Sequence, residues 1–379
     1  MKKLFSFFLF ASLIWGCSPN KPTEVKEPTK TYSFLVGTYT DDPNQGINQL
    51  DFTPATNSLE VRVIYPGIQN PSFVLANASG DEVFAVEEIH SETGGNILSL
   101  QRSNPSEALK QITTMPTFGD HPCYLALSPD ERFITVANYS GGSVSVYKIE
   151  ENAKLRHLQT EQHSGKSINE ARQEAAHVHS TVFSSDGNFL LTADLGSDEI
   201  TIYDFDPNSP EPLTINNTFK TQPGDGPRHM IFTPDGSELL VVQELTAALE
   251  IFDFQSGKLT SKQRVALMAD TYKGEVGAAE VRISPDGNHV YASNRGEANS
   301  LTVYEKRDDG KYWGIQLVSS GGSMPRNFNL TADGKYLLSA NQASNEVVVF
   351  ERDPATGKLS ETDLKVEIHK PVYLHRLAN

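Results

Sequence analysis

Along most of the chain, short runs of β-branched and aromatic residues alternate with polar turns rich in glycine and proline, and one arrangement of them recurs. A short apolar strand leads into a Pro-Asp-Gly-like turn, and a second apolar strand leaves it and ends in an amide or an acid. The turn aspartates are Asp130, Asp186, Asp235, Asp286 and Asp333, separated by 56, 49, 51 and 47 residues, and a weaker copy turns at Gly80-Asp81. A third strand follows in each full copy, at Ser143 to Tyr147, Ile200 to Tyr203, Leu249 to Phe252, Leu301 to Tyr304 and Val347 to Phe350. These compositions suit a sheet. The 3.6-residue pattern of helical solenoids is missing, so a period of about 50 residues points to four-stranded propeller blades.

The ends of the chain complete the ring. Ser33 to Tyr39 reads as a second strand without its first, and Lys370-Pro371-Val372-Tyr373-Leu374 reads as a first strand without its second, repeating His121-Pro122-Cys123-Tyr124-Leu125. Six full units and these two fragments predict an all-β fold, a seven-bladed β-propeller of four-stranded antiparallel blades over residues 32–379. The C-terminal strand joins the N-terminal blade, which leaves no unpaired edge between the ends.

Ahead of this body, Lys2 and Lys3, an apolar run from Leu4 to Trp15, and Gly16-Cys17 make residues 1–17 a signal peptide. The run is shorter than the ~20 residues a helix needs to span a bilayer. Ile14-Trp15-Gly16-Cys17 resembles a bacterial lipobox, which makes Cys17 the expected lipidation site. The expected location is a lipid-anchored membrane surface of the cell envelope, periplasmic or on the outer membrane. Residues 18–31, rich in Pro, Lys, Glu and Thr, read as a flexible linker. Cys123 then stands alone and has no partner for an internal disulfide. The net charge of −16 argues against nucleic acid and anionic lipid as partners. A monomer acting on a small molecule is expected.

Blade geometry brings the starts of inner strands and the ends of second strands to one face. The internal copies then act as a control: a residue type repeated at one register is architectural, and one peculiar to a blade needs another reason. Asn138, Asp194, Gln243, Asn294 and Asn341 share the register eight residues after the turn aspartate and are expected to satisfy loop backbone. Asn138 is also a candidate substrate contact. One residue on, the copies diverge to Tyr139, Leu195, Glu244, Arg295 and Gln342, and seven before the turn they read Cys123, His179, Arg228, Ala279 and Arg326. His177 and His179 are two apart and share a side of their strand if no bulge intervenes. Glu280 and Arg282 form a similar pair, and His229 follows Arg228.

The channel mouth should therefore carry imidazoles, a carboxylate and several guanidiniums. Guanidinium clusters answer a carboxylate or phosphate with forked donors. The plain alternative is that each arginine bridges neighbouring blades through acids such as Asp194 or Glu280. A metal site from His177, His179 and a carboxylate is disfavoured, because the arginines repel a cation. No cofactor is expected. The Gly141-Gly142 and Gly321-Gly322 pairs lack phosphate-loop spacing, and Ser180 lacks the glycine-rich elbow of a hydrolase nucleophile.

The segments Phe34-Leu35-Val36-Gly37-Thr38-Tyr39-Thr40, His177-x-His179-Ser180, Gly226-Pro227-Arg228-His229-Met230, Glu244-Leu245 and Pro325-Arg326-Asn327-Phe328 carry a closer likeness. In them the chain resembles the bacterial 6-phosphogluconolactonase family of seven-bladed propellers, itself similar to the carboxymuconate-lactonizing enzyme. The resemblance spans nearly all of the mature chain. It implies a lactonase with a catalytic set of Arg228, Glu244, Arg295 and either His177 or His179. His229 and Arg326, which lie in these segments, and Arg282, from its spacing to Glu280, are the further candidate substrate contacts, and the resemblance implies a sugar-derived or anionic lactone as substrate. Glu244 is then expected as general base toward water, with a histidine protonating the leaving alkoxide, or with the two roles exchanged. A non-catalytic envelope scaffold and a muconate-type cycloisomerase are the competing readings.

Overall fold

In the computed structural model, which describes Leu4, residues 30–104 and residues 107–378, the strands of the described residues pair into seven four-stranded antiparallel sheets. The closing blade runs Pro371–Arg376, Tyr32–Thr38, Gly46–Thr53, Ser58–Pro66 from inside outward. Phe34 pairs with Arg376 and Val36 with Leu374, the ring closure that the two chain ends predicted. Cys17 and the linker ahead of Lys30 lie outside the described residues.

The repeated turns explain themselves locally. The hydroxyls of Ser128, Ser184, Thr233, Ser284 and Thr331 donate to the carboxylates of Asp130, Asp186, Asp235, Asp286 and Asp333 at 2.5 to 2.8 Å. Each aspartate thus fixes its own hairpin. The weak blade uses the same turn with the aspartate displaced. Asn77 N–H bonds the Glu82 carbonyl as Ser128 N–H bonds that of Phe133, so Ser79, not Asp81, holds the aspartate's register. Its second strand, Glu82–Glu87, then matches Phe133–Asn138 and is followed by Glu88.

The shared polar register at the second-strand ends satisfies loop backbone in four of the five blades, as expected, while Gln243 departs from it and donates its amide to the Glu250 carboxylate at 3.2 Å. Asn138 and Asn341 donate their amides to the carbonyls of Thr117 and Ser320, and Asn294 accepts from Gly277 N–H. Asp194 accepts from the N–H groups of His177 and Gly196 at 2.7 and 3.0 Å. Between blades the sheets pack face to face: Phe34, Val36 and Leu50 of the closing blade meet Leu338, Ala340 and Val349 of its neighbour. Tyr147 and Tyr304 add hydroxyl bonds to the Pro116 and Ala266 carbonyls of the preceding blades, at 2.6 and 2.7 Å.

One irregularity recurs where it matters most. Register breaks between Pro122 and Tyr124, Val178 and Ser180, Pro227 and Met230, Ala278 and Val281, and Pro325 and Asn327. A β-bulge near the start of an inner strand leaves a residue unpaired and re-aims its side chain. The chain enters several of these strands through a left-handed residue before proline, with φ of 51° at His121, 66° at Gly226 and 59° at Met324. At Gly226 a Cβ would also lie 2.8 Å from Leu245 Cγ, so glycine is required ahead of Pro227-Arg228.

Candidate active site

Two rings of side chains meet at one end of the channel. The bulges supply Cys123, His179, Arg228 and Arg326, and the residues just past the second strands supply Glu88, Tyr139, Glu244 and Arg295. Arg172 joins them from the loop between two blades. That loop is pinned by the buried Gln173, whose amide donates to the Leu195 carbonyl and to Asp198 at 2.9 and 2.8 Å.

Glu244 is the hub. Its Oε1 accepts from Arg172 Nη2 at 2.6 Å, while its Oε2 faces Arg228 Nε at 2.8 Å and Arg295 Nη2 at 3.0 Å. The Arg228 contact is an ion pair without hydrogen-bond alignment, since Nε has no aligned acceptor. Burial alone would push the Glu244 carboxyl up, but the charges of Arg295, Arg228 and Arg172 override it and hold the group well below the usual carboxylate range. Burial, and next the like charge of Arg295, bring Arg228 down to about 10, which leaves it charged at neutral pH. Arg295 is steadied by a 3.0 Å bond from Nε to the Gly277 carbonyl. Arg326 Nη2 donates to Tyr39 Oη at 3.0 Å, and that hydroxyl donates to Glu88.

The two histidines part company. The bulge falls at His179, so the two-residue spacing does not translate into a simple shared face; His177 lies just ahead of the strand Val178–Phe183. His177 stacks on Tyr139 at 4.6 Å, and both its ring nitrogens meet oxygens, those of the Tyr139 carbonyl at 3.1 Å and Glu174 at 3.2 Å. His179 has Nδ1 3.8 Å from Cys123 Sγ, and its Nε2 has no hydrogen-bond partner among the described residues. Burial, then the charge of Arg228, push His179 well below the ordinary imidazole value, so it is neutral at physiological pH.

Beneath this layer an aromatic floor closes the channel. Phe73 stacks on Tyr373 at 3.7 Å and tilts against Tyr124 at 4.3 Å, and Tyr124 meets His229 edge-on at 5.0 Å. His229 accepts at Nε2 from Arg228 Nη1 and donates from Nδ1 to Glu280 Oε2, both at 3.1 Å. That pair of bonds fixes its tautomer. Above the floor, Cys123, His179, Arg228 and Arg326 frame a narrow cleft. Next to it opens a cavity of about 440 Å³ lined by Arg172, Glu244, Arg295 and Met324, with Glu275 and Glu297 at its wall.

The structure thus brings together Arg228, Glu244, Arg295, His179 and Arg326, with His177 one shell outward against Tyr139. His229 sits in the floor. Arg282 and Asn138 stand apart: Arg282 lines the far end of the channel, and Asn138 is fully buried with its amide nitrogen committed to Thr117 and Ser143. Ser180 is no nucleophile in this arrangement, since its hydroxyl is buried and donates to the Arg228 carbonyl. Sequence reasoning passed over Arg172 and Glu88. The Glu88 register was recoverable by aligning strand ends instead of turn aspartates.

Residues 33–375 match the family model described as lactonase, 7-bladed beta-propeller. A 6-phosphogluconolactonase of Formosa agariphila is 30% identical over 336 residues, covering 86% of this chain and 94% of that protein. A 6-phosphogluconolactonase of Bacillus subtilis is 27% identical over 353 residues, covering 91% and 99%. The solved periplasmic gluconolactonase of Pseudomonas aeruginosa superposes with a TM-score of 0.86 at 33% identity, covering 92% of this chain and 99% of that one. Blades, bulge-borne arginines and family match agree, and the chain belongs to the lactonase family of seven-bladed β-propellers.

Proposed function

We propose that the arginine-rich mouth hydrolyses a sugar-derived lactone, or another lactone bearing a negative charge, with water as the nucleophile. The observation that carries this reading is Glu244 held between three guanidiniums beside a neutral histidine with a free ring nitrogen. Water adds to the lactone carbonyl carbon, the ring C–O bond breaks, and the product is the open hydroxy acid. Arg228 and Arg295 face the oxyanion that develops on the carbonyl oxygen, where fixed charge in a dry site is most effective. Arg172 and Arg326 hold the substrate's other oxygens, and Glu275 and Glu297 accept from its hydroxyls.

His179 takes the proton from water and returns it to the leaving alkoxide. As the oxyanion forms, it offsets the field of Arg228 that depresses the imidazole, so the ring becomes a better base when it is needed. Glu244 is a poor general base, because both its oxygens already bear guanidiniums and its carboxyl is held strongly acidic. In this mechanism it is a positioning residue that keeps three arginines converged on the reaction centre.

Names given to relatives, 6-phosphogluconolactonase and periplasmic gluconolactonase, favour aldonolactones as the first panel to test. The purified protein should open five- and six-membered aldonolactones faster than buffer in a pH-stat assay. Rates equal to buffer across neutral and phosphorylated members overturn the proposal. We further place the protein in the cell envelope, anchored through Cys17, on the strength of the leader and its Gly16-Cys17 pair. Radiolabelled palmitate should enter the wild-type chain in cells and be absent from Cys17→Ser, and equal labelling of the two removes the anchor.

A further inference from the structure

The channel has a second mouth, at the end where the Pro-Asp-Gly turns lie, and nothing in the lactone chemistry uses it. Below the floor of Phe73, Tyr124 and Tyr373 opens a cavity of about 430 Å³, walled by the far halves of inner strands and by turn residues Pro129, Ser184 and Ser185. Its walls are mostly apolar, from Leu75, Ala126, Leu127, Val182 and Phe183, yet Arg282 and His375 stand in them.

Arg282 is poorly partnered for a guanidinium in such a place. Among the described residues its shortest polar contacts are 3.4 Å to Tyr373 Oη and 3.5 Å to Glu280 Oε2, and its buried Nε has no partner. Glu280 cannot serve it fully, because the same Oε2 takes bonds from His229 and Asn327. A guanidinium carries five donors, and leaving them unmet beside an apolar wall is costly. His375 adds a directed donor. Its Nε2 accepts from Ala76 N–H at 3.1 Å, which leaves the proton on Nδ1 with no partner among the described residues. Burial, and next the charge of Arg282, bring this imidazole down to about 3, so it stays neutral and keeps that tautomer at any physiological pH.

A cationic fork and a neutral N–H set in an apolar wall recognise one chemistry: a planar carboxylate at one end of a small hydrophobic body. We propose that the far mouth is a second binding site, separate from the lactone site, for a small organic carboxylate held by Arg282 and His375 with its apolar part against Leu75, Ala126 and Val182. The closed floor separates it from the arginines above, which bind anions by themselves, so the test must distinguish the two ends. Benzoate is a suitable probe, and a ligand of nine heavy atoms should bind with a dissociation constant on the order of 1 mM.

Methyl NMR of the full chain separates the sites, with Leu75 and Val182 reporting the far cavity and Met324 the upper one. Benzoate should shift the Leu75 and Val182 resonances saturably, and benzamide, without the charge, should not. Arg282→Leu should weaken that response by about ten- to a hundredfold, the usual worth of a charge-assisted bond, and leave any shift at Met324 unchanged. Ala126→Phe, which fills the cavity from another strand, should abolish the same response should Arg282→Leu fail to fold. Leu75 and Val182 resonances that stay still, or that move equally with benzamide or in Arg282→Leu, overturn the proposal. These readouts involve no turnover, so they stand or fall apart from the lactonase assignment.

Discussion

Replacing His179 by asparagine should lower kcat on the best aldonolactone by about 10²- to 10⁴-fold, the usual contribution of a positioned acid–base group, with little change in KM. Asparagine keeps a polar side chain of similar reach beside Cys123 and Arg228 but cannot carry a proton between water and alkoxide. The pH profile gives a second readout. Activity requires the neutral ring, and burial with the charge of Arg228 holds its proton affinity well below the ordinary imidazole value. The acid limb of kcat/KM should therefore lie below about pH 6.5, the free imidazole value. His179→Asn should lose that limb along with the rate. His177→Asn should be much milder, because His177 spends both nitrogens on the Tyr139 carbonyl and Glu174. A loss as deep in His177→Asn as in His179→Asn reverses the assignment between the two.

How far the sequence carried this picture depended on what each feature rests on. Blades were legible because each hairpin depends on one short-range bond, hydroxyl to aspartate, that leaves a fixed mark such as Ser284-Pro285-Asp286-Gly287. Ring closure was legible because the C-terminal strand repeats the His121-Pro122-Cys123 entry as Lys370-Pro371-Val372. Arg228, Glu244 and Arg295 could be gathered from remote positions because a propeller converts equal register into equal place around the axis. The failures have equally local causes. Glu88 escaped because its blade moved the aspartate two residues down the turn, so counting from Asp81 overshoots it. Arg172 escaped because it sits on a long connection between blades, outside the strand registers that repeat, held there by Gln173. The roles of the histidines were hidden by a bulge, whose extra residue breaks the alternation on which a two-residue spacing depends. Arg282 was grouped with the mouth by its spacing from Glu280, yet one further pair of residues along an inner strand carries a side chain past the floor to the other end.

Glu244→Gln separates a positioning carboxylate from a general base and also tests the electrostatics of the whole mouth. Glutamine keeps shape and can still accept from Arg172, but it removes the one negative charge among the described residues that directly meets Arg172, Arg228 and Arg295 together. Breaking a buried ion pair from one side leaves uncompensated charge, so the variant should lose about 3–5 kcal/mol of unfolding free energy at pH 7. The sign with pH follows from the direction of the shift. The carboxyl is depressed in the folded protein, so its stabilisation is complete above the free carboxylate value near 4.5 and is lost as pH falls toward the lower folded value. Denaturant unfolding should therefore show the wild type and Glu244→Gln far apart at pH 7 and converging at strongly acidic pH. In catalysis the repelling guanidiniums spread, so both kcat and KM worsen, and Glu244→Asp, which restores the charge on a shorter stem, should recover part of both. A general base predicts a different kinetic pattern: kcat falls alone, with KM little changed, and the acid limb of the pH profile changes shape. Equal stability of wild type and Glu244→Gln across the pH range sinks the positioning role, because the buried Arg228 and its converging partners Arg295 and Arg172 cannot lose their shared counter-charge at no cost.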